Sequence, residues 1–361
     1  MNGLPFEKPI TELEKKIEEL RKFSVSQNID VREEIRSLEE RANQIKKEIY
    51  STLTAWQRVQ IARHPNRPYF LDYVKMIMDE YVELHGDRHF GDDKALVGGL
   101  ARMGPHKLLI LGHQKGRDTK ENLMRNFGSA HPEGYRKAYR LMKMADKFAL
   151  PIVAFVDTPG AYPGVGAEER GQAEAIAVNL REMMGLRVPI VVLVIGEGGS
   201  GGALGIGIGD RILMLQNAYY SVISPEGCSA ILWKDRKRSE DAAAALKLTG
   251  QDLLELGIVD EVVPEPLGGA HRDHAATAAS VKESLSRHLL GLHAIPGAEL
   301  LERRYEKFRN MGTYTTLAQG PQTPGAPLPF PENPSASPEA PPSTDSFRSV
   351  ALGAGLFPPP A

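Results

Sequence analysis

The chain has 361 residues, 42% of them hydrophobic, a formal net charge of -2 and a pI of about 6.6. This near-neutral balance gives no electrostatic reason to expect nucleic-acid binding, and the absence of an apolar run of about eighteen residues or of a signal-peptide core gives none to expect membrane insertion or export. A single cysteine, Cys228, excludes an internal disulfide framework and a four-cysteine zinc ribbon within this chain. We therefore expect a cytoplasmic protein whose only thiol is buried and structural.

Residues 1–60 predict a helical hairpin. Apolar residues recur every three or four positions in two runs, and the stretch 24–28 separates the runs. The first run holds Ile10, Leu13, Ile17 and Leu20, and the second holds Val31, Ile35, Leu38, Ala42, Ile45 and Ile49. Each run forms one narrow apolar stripe, which docks either on the rest of this chain or on a partner subunit.

Residues 85–93, HGDRHFGDD, contain side chains that often bind metals. The two histidines are spaced as H-x-x-x-H, but glycines interrupt this stretch and it does not predict a helix, so we expect no metal here. Further along, Lys115 and Arg117 either meet a phosphate or carboxylate of a ligand or are ordinary surface charges.

Two predicted strands each end in a turn rich in glycine. The run PIVAFV (151–156) leads into DTPGAYPG (157–164), and PIVVLVI (189–195) leads into GEGGSGG (196–202) and a helix of small residues. Glycine lacks a Cβ, so a ligand can approach the main chain closely, and the free amides at a helix start favour an anion. If the two strands are neighbours in a parallel sheet, the amides of Gly160 and Ala161 face those of Gly201 and Gly202.

Three motifs fit the second turn. The dinucleotide fingerprint G-x-G-x-x-G requires an acidic residue about twenty positions later, where Gln216 and Asn217 stand. The nucleophile elbow G-x-S-x-G centres on Ser200 and needs a histidine base, but His271 and His274 lie in a polar loop where we expect them on the surface. An oxyanion hole made of backbone amides needs only the glycines, and we favour this interpretation.

Several long strings in the chain resemble the alpha subunit of the bacterial and plastid acetyl-CoA carboxylase carboxyltransferase. They are HGDRHFGDD (85–93), GHQKGRDTKEN (112–122), NFGSAHPEGYRKA (126–138), VDTPGAYPGVGAEERGQ (156–172), GEGGSGGALGIG (196–207) and SVISPEGCSAILWKD (221–235). The resemblance covers about residues 1–312. Residues 313–361 are rich in proline, take no part in it and are expected to be disordered.

The resemblance implies an α/β fold of the ClpP/crotonase type, in which ββα units stack into a superhelix, with an N-terminal helical hairpin. Residues 1–60 would form the hairpin and residues 61–312 the carboxyltransferase domain, with the active site at a subunit interface. Apolar segments alternate with helical stretches along the chain, and this alternation predicts an α/β architecture independently of the resemblance. The apolar segments are 108–111, 152–156, 190–195, 212–215 and 259–263, and the helical stretches lie near 135–148, 172–184 and 242–248.

The resemblance also implies a reaction and its partners. The carboxyl group of N-carboxybiotin, carried on a separate biotin carboxyl carrier protein, would be transferred to acetyl-CoA to give malonyl-CoA for fatty acid synthesis. A beta subunit with a zinc ribbon would complete an alpha2beta2 carboxyltransferase, and biotin carboxylase would join the wider complex. Biotin on the carrier is then the cofactor, and no metal is expected on this chain.

The resemblance further implies that the alpha subunit supplies the pocket for the biotin carbonyl, and the site residues follow from it. Gly198, Gly199, Gly201 and Gly202 are assigned a catalytic role, and Gly160, Ala161 and Gly164 a role in biotin binding. Two alternatives stay open, namely another crotonase-like acyl-CoA enzyme and a non-catalytic scaffold for a biotin carrier. A hydratase would want paired glutamates, which Glu168, Glu169 and Glu197 do not evidently provide, and a scaffold would not need exposed amides.

Overall fold

A computed structural model describes residues 3–27 and 30–312, so the predicted disordered segment 313–361 lies outside the described residues. The strands of the described part are β1 (Glu80–Glu83), β2 (Leu96–Met103), β3 (His106–His113), β4 (Ile152–Thr158), β5 (Ile190–Gly199), β6 (Arg211–Leu215), β7 (Tyr219–Ser221) and β8 (Glu261–Val263). They form one mixed sheet in the order β1-β2-β3-β4-β5-β6-β8, with β7 paired to β5. The strands from β3 to β8 in this order are parallel, whereas β1, β2 and β3 pair in antiparallel fashion.

The central strands explain the continuous apolar runs in the sequence. Every residue of β4 and of β5 is buried, because a parallel sheet is covered by helices on both faces. The predicted strands at 152–156 and 190–195 are confirmed within β4 and β5. The predicted apolar segments at 108–111 and 212–215 likewise fall within β3 and β6.

Helices flank the sheet and connect its parallel strands. They are α1 (Lys8–Gln27), α2 (Arg32–Ser51), α3 (Ala55–Ala62), α4 (Phe70–Ile77), α5 (Thr119–Met124), α6 (Pro132–Lys147), α7 (Val165–Glu169), α8 (Gln172–Met184), α9 (Ser200–Leu204), α10 (Pro225–Trp233), α11 (Ser239–Ala245), α12 (Gly250–Glu255), α13 (His274–His293) and α14 (Gly297–Arg309). The bounds of α8 equal those predicted from the sequence. Helix α11 ends earlier than the predicted 242–248, because Lys247 adopts a φ of +52° that a right-handed helix does not allow. No helix among residues 3–27 and 30–312 combines the length and the apolar character needed to cross a bilayer.

Helices α1 and α2 form the predicted hairpin, whose buried stripe includes Ile10, Ile17 and Ala42. Charged and polar side chains attach it to the loop before α13. The Arg272 guanidinium donates to the Glu7 carboxylate at 3.0 Å and to Glu14 at 2.9 Å. The Tyr50 hydroxyl lies 2.8 Å from both the Glu7 carboxylate and the Gly268 carbonyl oxygen. These contacts dock the hairpin on its own chain.

The side chain of Arg304 connects helix α14 to the sheet through several hydrogen bonds. The Arg304 side chain is buried and donates to both carboxylate oxygens of Asp210 at 2.9 Å. It also donates to the carbonyl oxygens of Met183 and Leu186 at 2.8 Å and of Val188 at 3.0 Å. One side chain therefore joins the end of α8, the segment that leads to β5, and the residue before β6.

Candidate active site

The two glycine-rich turns lie side by side at one edge of the sheet. Strands β4 and β5 are adjacent and parallel, and Thr158 pairs with Gly198 at their carboxyl ends. The register shifts between Val156 and Thr158, so that Glu197 lies in an irregular part of the ladder. The neighbouring arrangement that the sequence argument required is therefore present.

The two turns touch through their main chains. A Cβ added to Gly199 would lie 2.2 Å from the carbonyl oxygen of Pro159, and one added to Gly202 would lie 2.3 Å from the amide nitrogen of Ala161. Real Cβ atoms do not approach other atoms this closely, so only glycine fits at either position. By contrast, a Cβ at Gly201 would meet only Ile176 Cδ1, at 3.8 Å. The space beside Gly201 is therefore open.

Tyrosine rings cover two of the other glycines. A Cβ on Gly198 would lie 2.6 Å from the Tyr220 ring, and one on Gly164 would lie 2.4 Å from the Tyr162 ring. Tyr162 in turn stacks on His131, with ring centroids 4.2 Å apart. Gly198 and Gly164 therefore make room for aromatic side chains of the same chain. The remaining predicted residue, Gly160, has a φ of +153° and open space around its Cβ position.

Several backbone amides of the turns are candidate donors. Helix α9 starts directly after β5, and the first amides of a helix have no acceptor within the helix. In the other turn, the Gly160 amide donates to Thr158 Oγ1 at 3.1 Å, while the Ala161 amide has no acceptor among residues 3–27 and 30–312. The Tyr135 hydroxyl donates to the Gly202 carbonyl at 3.2 Å and helps to fix the direction of α9.

A buried ion cluster lies where the two turns begin. The Lys115 ammonium contacts Asp157 Oδ1 at 2.7 Å and Glu197 Oε1 at 2.8 Å; we call these three residues the Lys115 bridge. Burial alone would raise the pKa of Glu197, but the charges of Lys115 and Arg63 outweigh it and hold that pKa at about 2. Burial would also lower the pKa of Lys115, yet Asp157 and Glu197 raise it well above its usual value. Lys115 and Glu197 are therefore both ionised throughout the ordinary pH range.

Arg63 extends this cluster away from the bridge. It donates to Glu197 Oε2 at 2.8 Å, to the Tyr219 hydroxyl at 3.0 Å and to Glu226 Oε1 at 2.5 Å. The Tyr219 hydroxyl donates to the same Glu197 oxygen at 2.7 Å. The sequence argument missed these partners of Glu197. The sequence did contain a signal for such partners, because Glu197 is an acidic residue within an apolar and glycine-rich run. A buried carboxylate requires a cation or several hydrogen-bond donors.

The expectation that His271 lies on the surface is wrong. Its side chain is 4% exposed and lies 3.5 Å from the Glu7 carboxylate, and its ring packs on His64 with centroids 4.2 Å apart. The polar loop is covered by the N-terminal hairpin, which a local reading of composition does not reveal. His274 meets the Asn66 carbonyl at 2.5 Å. Neither histidine contacts Ser200, although Ser200 has the strained φ of +52° expected at a nucleophile elbow.

Lys115 and Arg117 are both engaged within the chain. Arg117 pairs with Asp72, donates to the Pro65 carbonyl at 2.6 Å and stacks over the Tyr69 ring at 3.9 Å. Lys115 is held in the bridge described above. Neither residue is therefore a free surface charge.

The His and Asp residues of 85–93 build a turn. Asp87 Oδ1 accepts the amides of His89, Phe90 and Gly91 at 2.8 to 3.0 Å, while Asp92 pairs with Lys137 at 2.5 Å. Within the described part of the chain, no three His, Cys, Asp or Glu side chains are grouped so that they could hold a metal ion. Cys228 is free and buried, as predicted.

Comparison with solved structures supports the fold. A transcarboxylase 12S with methylmalonyl-coenzyme A and methylmalonic acid bound matches with a TM-score of 0.52 at 20% identity, over 71% of this chain and 44% of that chain. A Pseudomonas malonate decarboxylase hetero-tetramer in complex with coenzyme A matches with a TM-score of 0.50 at 20% identity, over 60% of this chain and 86% of that chain. The predicted crotonase-like α/β fold is confirmed.

Sequence comparison is more specific. A family described as acetyl co-enzyme A carboxylase carboxyltransferase-like matches residues 3–312. The acetyl-coenzyme A carboxylase carboxyl transferase subunit alpha of Geobacter metallireducens is 57% identical over 311 residues, 86% of this chain and 98% of that protein. The subunit of the same name from Methylococcus capsulatus is 58% identical over 86% of this chain and 97% of that protein. The chain therefore belongs to the family of acetyl-CoA carboxylase carboxyltransferase alpha subunits.

Proposed function

We propose that this chain is the alpha half of an acetyl-CoA carboxyltransferase and that its two glycine turns bind the carboxyl-carrying group. One observation carries the assignment of the site. The two turns follow adjacent parallel strands and are in direct contact through their main chains at Gly199 and Gly202. Beside this contact, at Gly201 and Gly160, the turns present backbone amides to open space that no side chain fills. Such a cradle suits an oxyanion that must approach the backbone closely.

The residues of this chain bind and align, and none of them needs to act as a base. When bound, N-carboxybiotin supplies the carboxyl group and, once that group has left, the base for the acetyl methyl proton. The amides of Gly201, Gly202 and Ala161 donate to the oxygen on which negative charge develops. Removing a single donor of this kind typically costs on the order of 100-fold to 1,000-fold in rate. The Gly160 amide is the weaker candidate, because it already donates to Thr158 Oγ1.

The geometry of the turns fits a flat ring system presented by a carrier. The positions beside Gly201 and Gly160 are open, so an approaching group meets main-chain atoms and not side chains. Gly199 and Gly202 keep the two turns together, and any Cβ there would push them apart. Gly198 and Gly164 serve the site indirectly, since they accommodate the tyrosine rings that pack against the turns.

The remaining parts of the reaction belong to partners. A beta subunit, with the zinc ribbon expected in this family, would bind the thioester of acetyl-CoA or malonyl-CoA opposite these turns. The biotin carboxyl carrier protein would deliver the biotin, biotin carboxylase would complete the wider complex, and the assembly would be a cytoplasmic alpha2beta2 tetramer. The organisation into a hairpin (1–60), a carboxyltransferase domain (61–312) and a tail (313–361) is part of the same proposal.

Reconstitution tests the proposal. We would measure malonyl-CoA decarboxylation coupled to biocytin carboxylation with this chain alone, with a purified beta subunit alone, and with both. We expect activity only in the mixture, because each chain supplies half of the site. No activity in a mixture shown to be assembled would contradict the assignment and favour a different acyl-CoA enzyme or a scaffold.

A single substitution separates the amide cradle from the nucleophile elbow. Ser200→Ala in the reconstituted enzyme removes the hydroxyl but leaves every backbone donor in place. We expect kcat to stay within about twofold of the wild type, because no serine nucleophile takes part. A complete loss of turnover in this variant, with assembly unchanged, would restore the serine nucleophile.

A further inference from the structure

The Lys115 bridge connects three neighbouring parallel strands. Lys115 follows the end of β3, Asp157 lies in β4, and Glu197 lies in β5. The ammonium of Lys115 contacts a carboxylate oxygen of each acid, at 2.7 Å and 2.8 Å. Asp157 is the first residue of the first glycine turn (157–164), and Glu197 is the second residue of the other turn (196–202). The cation therefore ties together the two points from which the turns start.

Other contacts of the same atoms show that the bridge is built into the strand pairing. Asp157 Oδ1, the oxygen that Lys115 contacts, also accepts the amide of Glu197 at 2.9 Å. A Cβ on Gly196 would lie 2.5 Å from this oxygen, so the carboxylate reaches the amide only because residue 196 is glycine. The contact falls at the register shift between β4 and β5. The carboxylate thus closes the irregular part of the ladder just before the turns.

A contribution to stability is a weak explanation for this cluster. The side chains of Lys115, Asp157 and Glu197 are 11%, 4% and 9% exposed, respectively. Burying an ion costs several kcal/mol, and well-packed apolar side chains often replace a buried ion pair without loss of stability. What a fully bonded buried cluster does provide is a fixed relative position of the groups it joins. Here those groups are the starts of the two turns.

We propose that Lys115 is a positioning residue of the carboxyl-transfer reaction, which sets the separation between the amide donors of the two turns. The inference rests on the proposed function, because it concerns the same cradle. Lys115 itself does not touch the substrate. Since amide donors act on charge that develops in the transition state, their misplacement lowers kcat and leaves substrate binding nearly unchanged.

Removal of the ammonium has a defined electrostatic consequence. In Lys115→Met, the Glu197 carboxylate still accepts hydrogen bonds from Arg63 and from the Tyr219 hydroxyl. The Asp157 carboxylate keeps only the hydrogen bond from the Glu197 amide. The charged and titratable groups that face Asp157 are Lys115, Glu197, Arg67, Tyr69 and Tyr73. Of these, Arg67 is already paired with Glu265. Asp157 is therefore the acid that loses its cation in the variant.

The test uses the reconstituted alpha/beta enzyme and the malonyl-CoA-dependent carboxylation of biocytin. For Lys115→Met we expect kcat about 100-fold below wild type, with the KM for malonyl-CoA within about twofold. The kcat falls because the Asp157 and Glu197 carboxylates, which both contact the ammonium in the wild type, repel each other once it is removed. The double variant Lys115→Met/Asp157→Asn removes this repulsion, so its kcat should lie about tenfold above that of Lys115→Met.

Controls separate this proposal from its alternatives. Lys107→Met removes an exposed lysine from β3, the strand that leads to Lys115, and should leave kcat unchanged. A Lys115→Met enzyme with wild-type kcat, or a double variant that is no more active than Lys115→Met, overturns the positioning role. An inactive wild-type complex overturns the proposed function and this inference together. If Lys115→Met does not assemble, the near-isosteric Asp157→Asn should still lower kcat at least threefold, and an unchanged kcat there overturns the inference.

Discussion

The two glycine turns and the N-terminal hairpin are held in place by opposite means. The turns touch main chain to main chain, and added Cβ atoms at Gly199 and Gly202 would lie 2.2 Å and 2.3 Å from backbone atoms. The hairpin is attached through side chains: the Glu7 carboxylate accepts a hydrogen bond from Arg272 and lies 2.8 Å from the Tyr50 hydroxyl. The contact between the turns therefore depends on the small volume of glycine, with the Lys115 bridge at the points where the turns start, whereas the attachment of the hairpin depends on charge.

This difference predicts different responses to mutation and to pH. A contact between two main chains fails when a Cβ is added at the contact itself, and it does not depend on the protonation of the residues that make it. A region held by a carboxylate tolerates small changes of shape but depends on ionisation of that carboxylate. Four substitutions, taken from the largest expected effect to the smallest, test whether the two regions separate in this way.

Gly202→Val should have the largest effect. The added Cβ would collide with the main chain at Gly160 and Ala161, and the turns would separate. We expect kcat to fall at least about 100-fold, as for a lost oxyanion donor, with subunit assembly retained by size-exclusion chromatography. Gly291→Ala is the control, because a Cβ there meets nothing within 4 Å. Wild-type turnover by Gly202→Val would exclude this turn from the site.

Glu7→Gln should loosen the hairpin in a pH-dependent way. Burial alone would raise the pKa of Glu7, but His271, Tyr50 and Arg272 lower it from 4.5 to about 2. A depressed carboxyl pKa stabilises the fold above the unfolded value and loses that effect as pH falls from about 4.5 to about 2. We expect the variant to lose about 2 kcal/mol of unfolding free energy at pH 7.

Denaturant unfolding over a range of pH tests that expectation. The difference between wild type and Glu7→Gln should shrink as pH falls through this window, because the wild-type carboxyl then also becomes neutral. A stability difference that stays constant from pH 7 to pH 2 would show that the charge of Glu7 does not hold the hairpin.

Tyr50→Phe should have a smaller effect on the same contact. The hydroxyl lies 2.8 Å from both Glu7 and the Gly268 carbonyl, and its removal leaves Arg272 in place. We expect a loss of about 1 kcal/mol in unfolding free energy and more rapid hydrogen exchange in α1. Unchanged exchange in α1 would mean that Arg272 alone suffices to dock the hairpin.

Gly201→Ala should have the smallest effect on folding. Its Cβ would touch only Ile176, at an ordinary contact distance of 3.8 Å. We expect the unfolding free energy to change by less than about 0.5 kcal/mol, while kcat falls less than in Gly202→Val because the methyl group enters the open space beside the amides. A strong loss of stability would show that this space is needed by the protein itself.

Local patterns in the sequence predicted much of this structure. The apolar runs of β4 and β5 and the bounds of α8 follow from neighbouring residues, as does the hairpin of α1 and α2. The juxtaposition of the two turns was predicted on the condition that their strands are neighbours in one parallel sheet, and β4 and β5 meet this condition. The family resemblance supplied the reaction, which periodicity and spacing alone do not give.

The parts that escaped prediction depend on residues far apart in the chain. Arg63 reaches Glu197 across 134 positions, and Lys115 reaches it across 82, so no local window contains the ion cluster. His271 looked solvent-exposed because its neighbours are polar, yet the hairpin, more than two hundred residues earlier, covers it. Charge pairing over such distances is decided by the topology of the sheet, which a linear pattern does not specify.

Arg304 has a consequence for the order in which the protein is made. Its carbonyl partners at residues 183 to 188 and its carboxylate partner at Asp210 are synthesised long before it. Until translation reaches residue 304, the Asp210 carboxylate, which lies next to the start of β6, has no Arg304 guanidinium to pair with. Translation therefore places the cation after the strands that require it, and the parallel half of the sheet acquires its final fastening only when helix α14 leaves the ribosome.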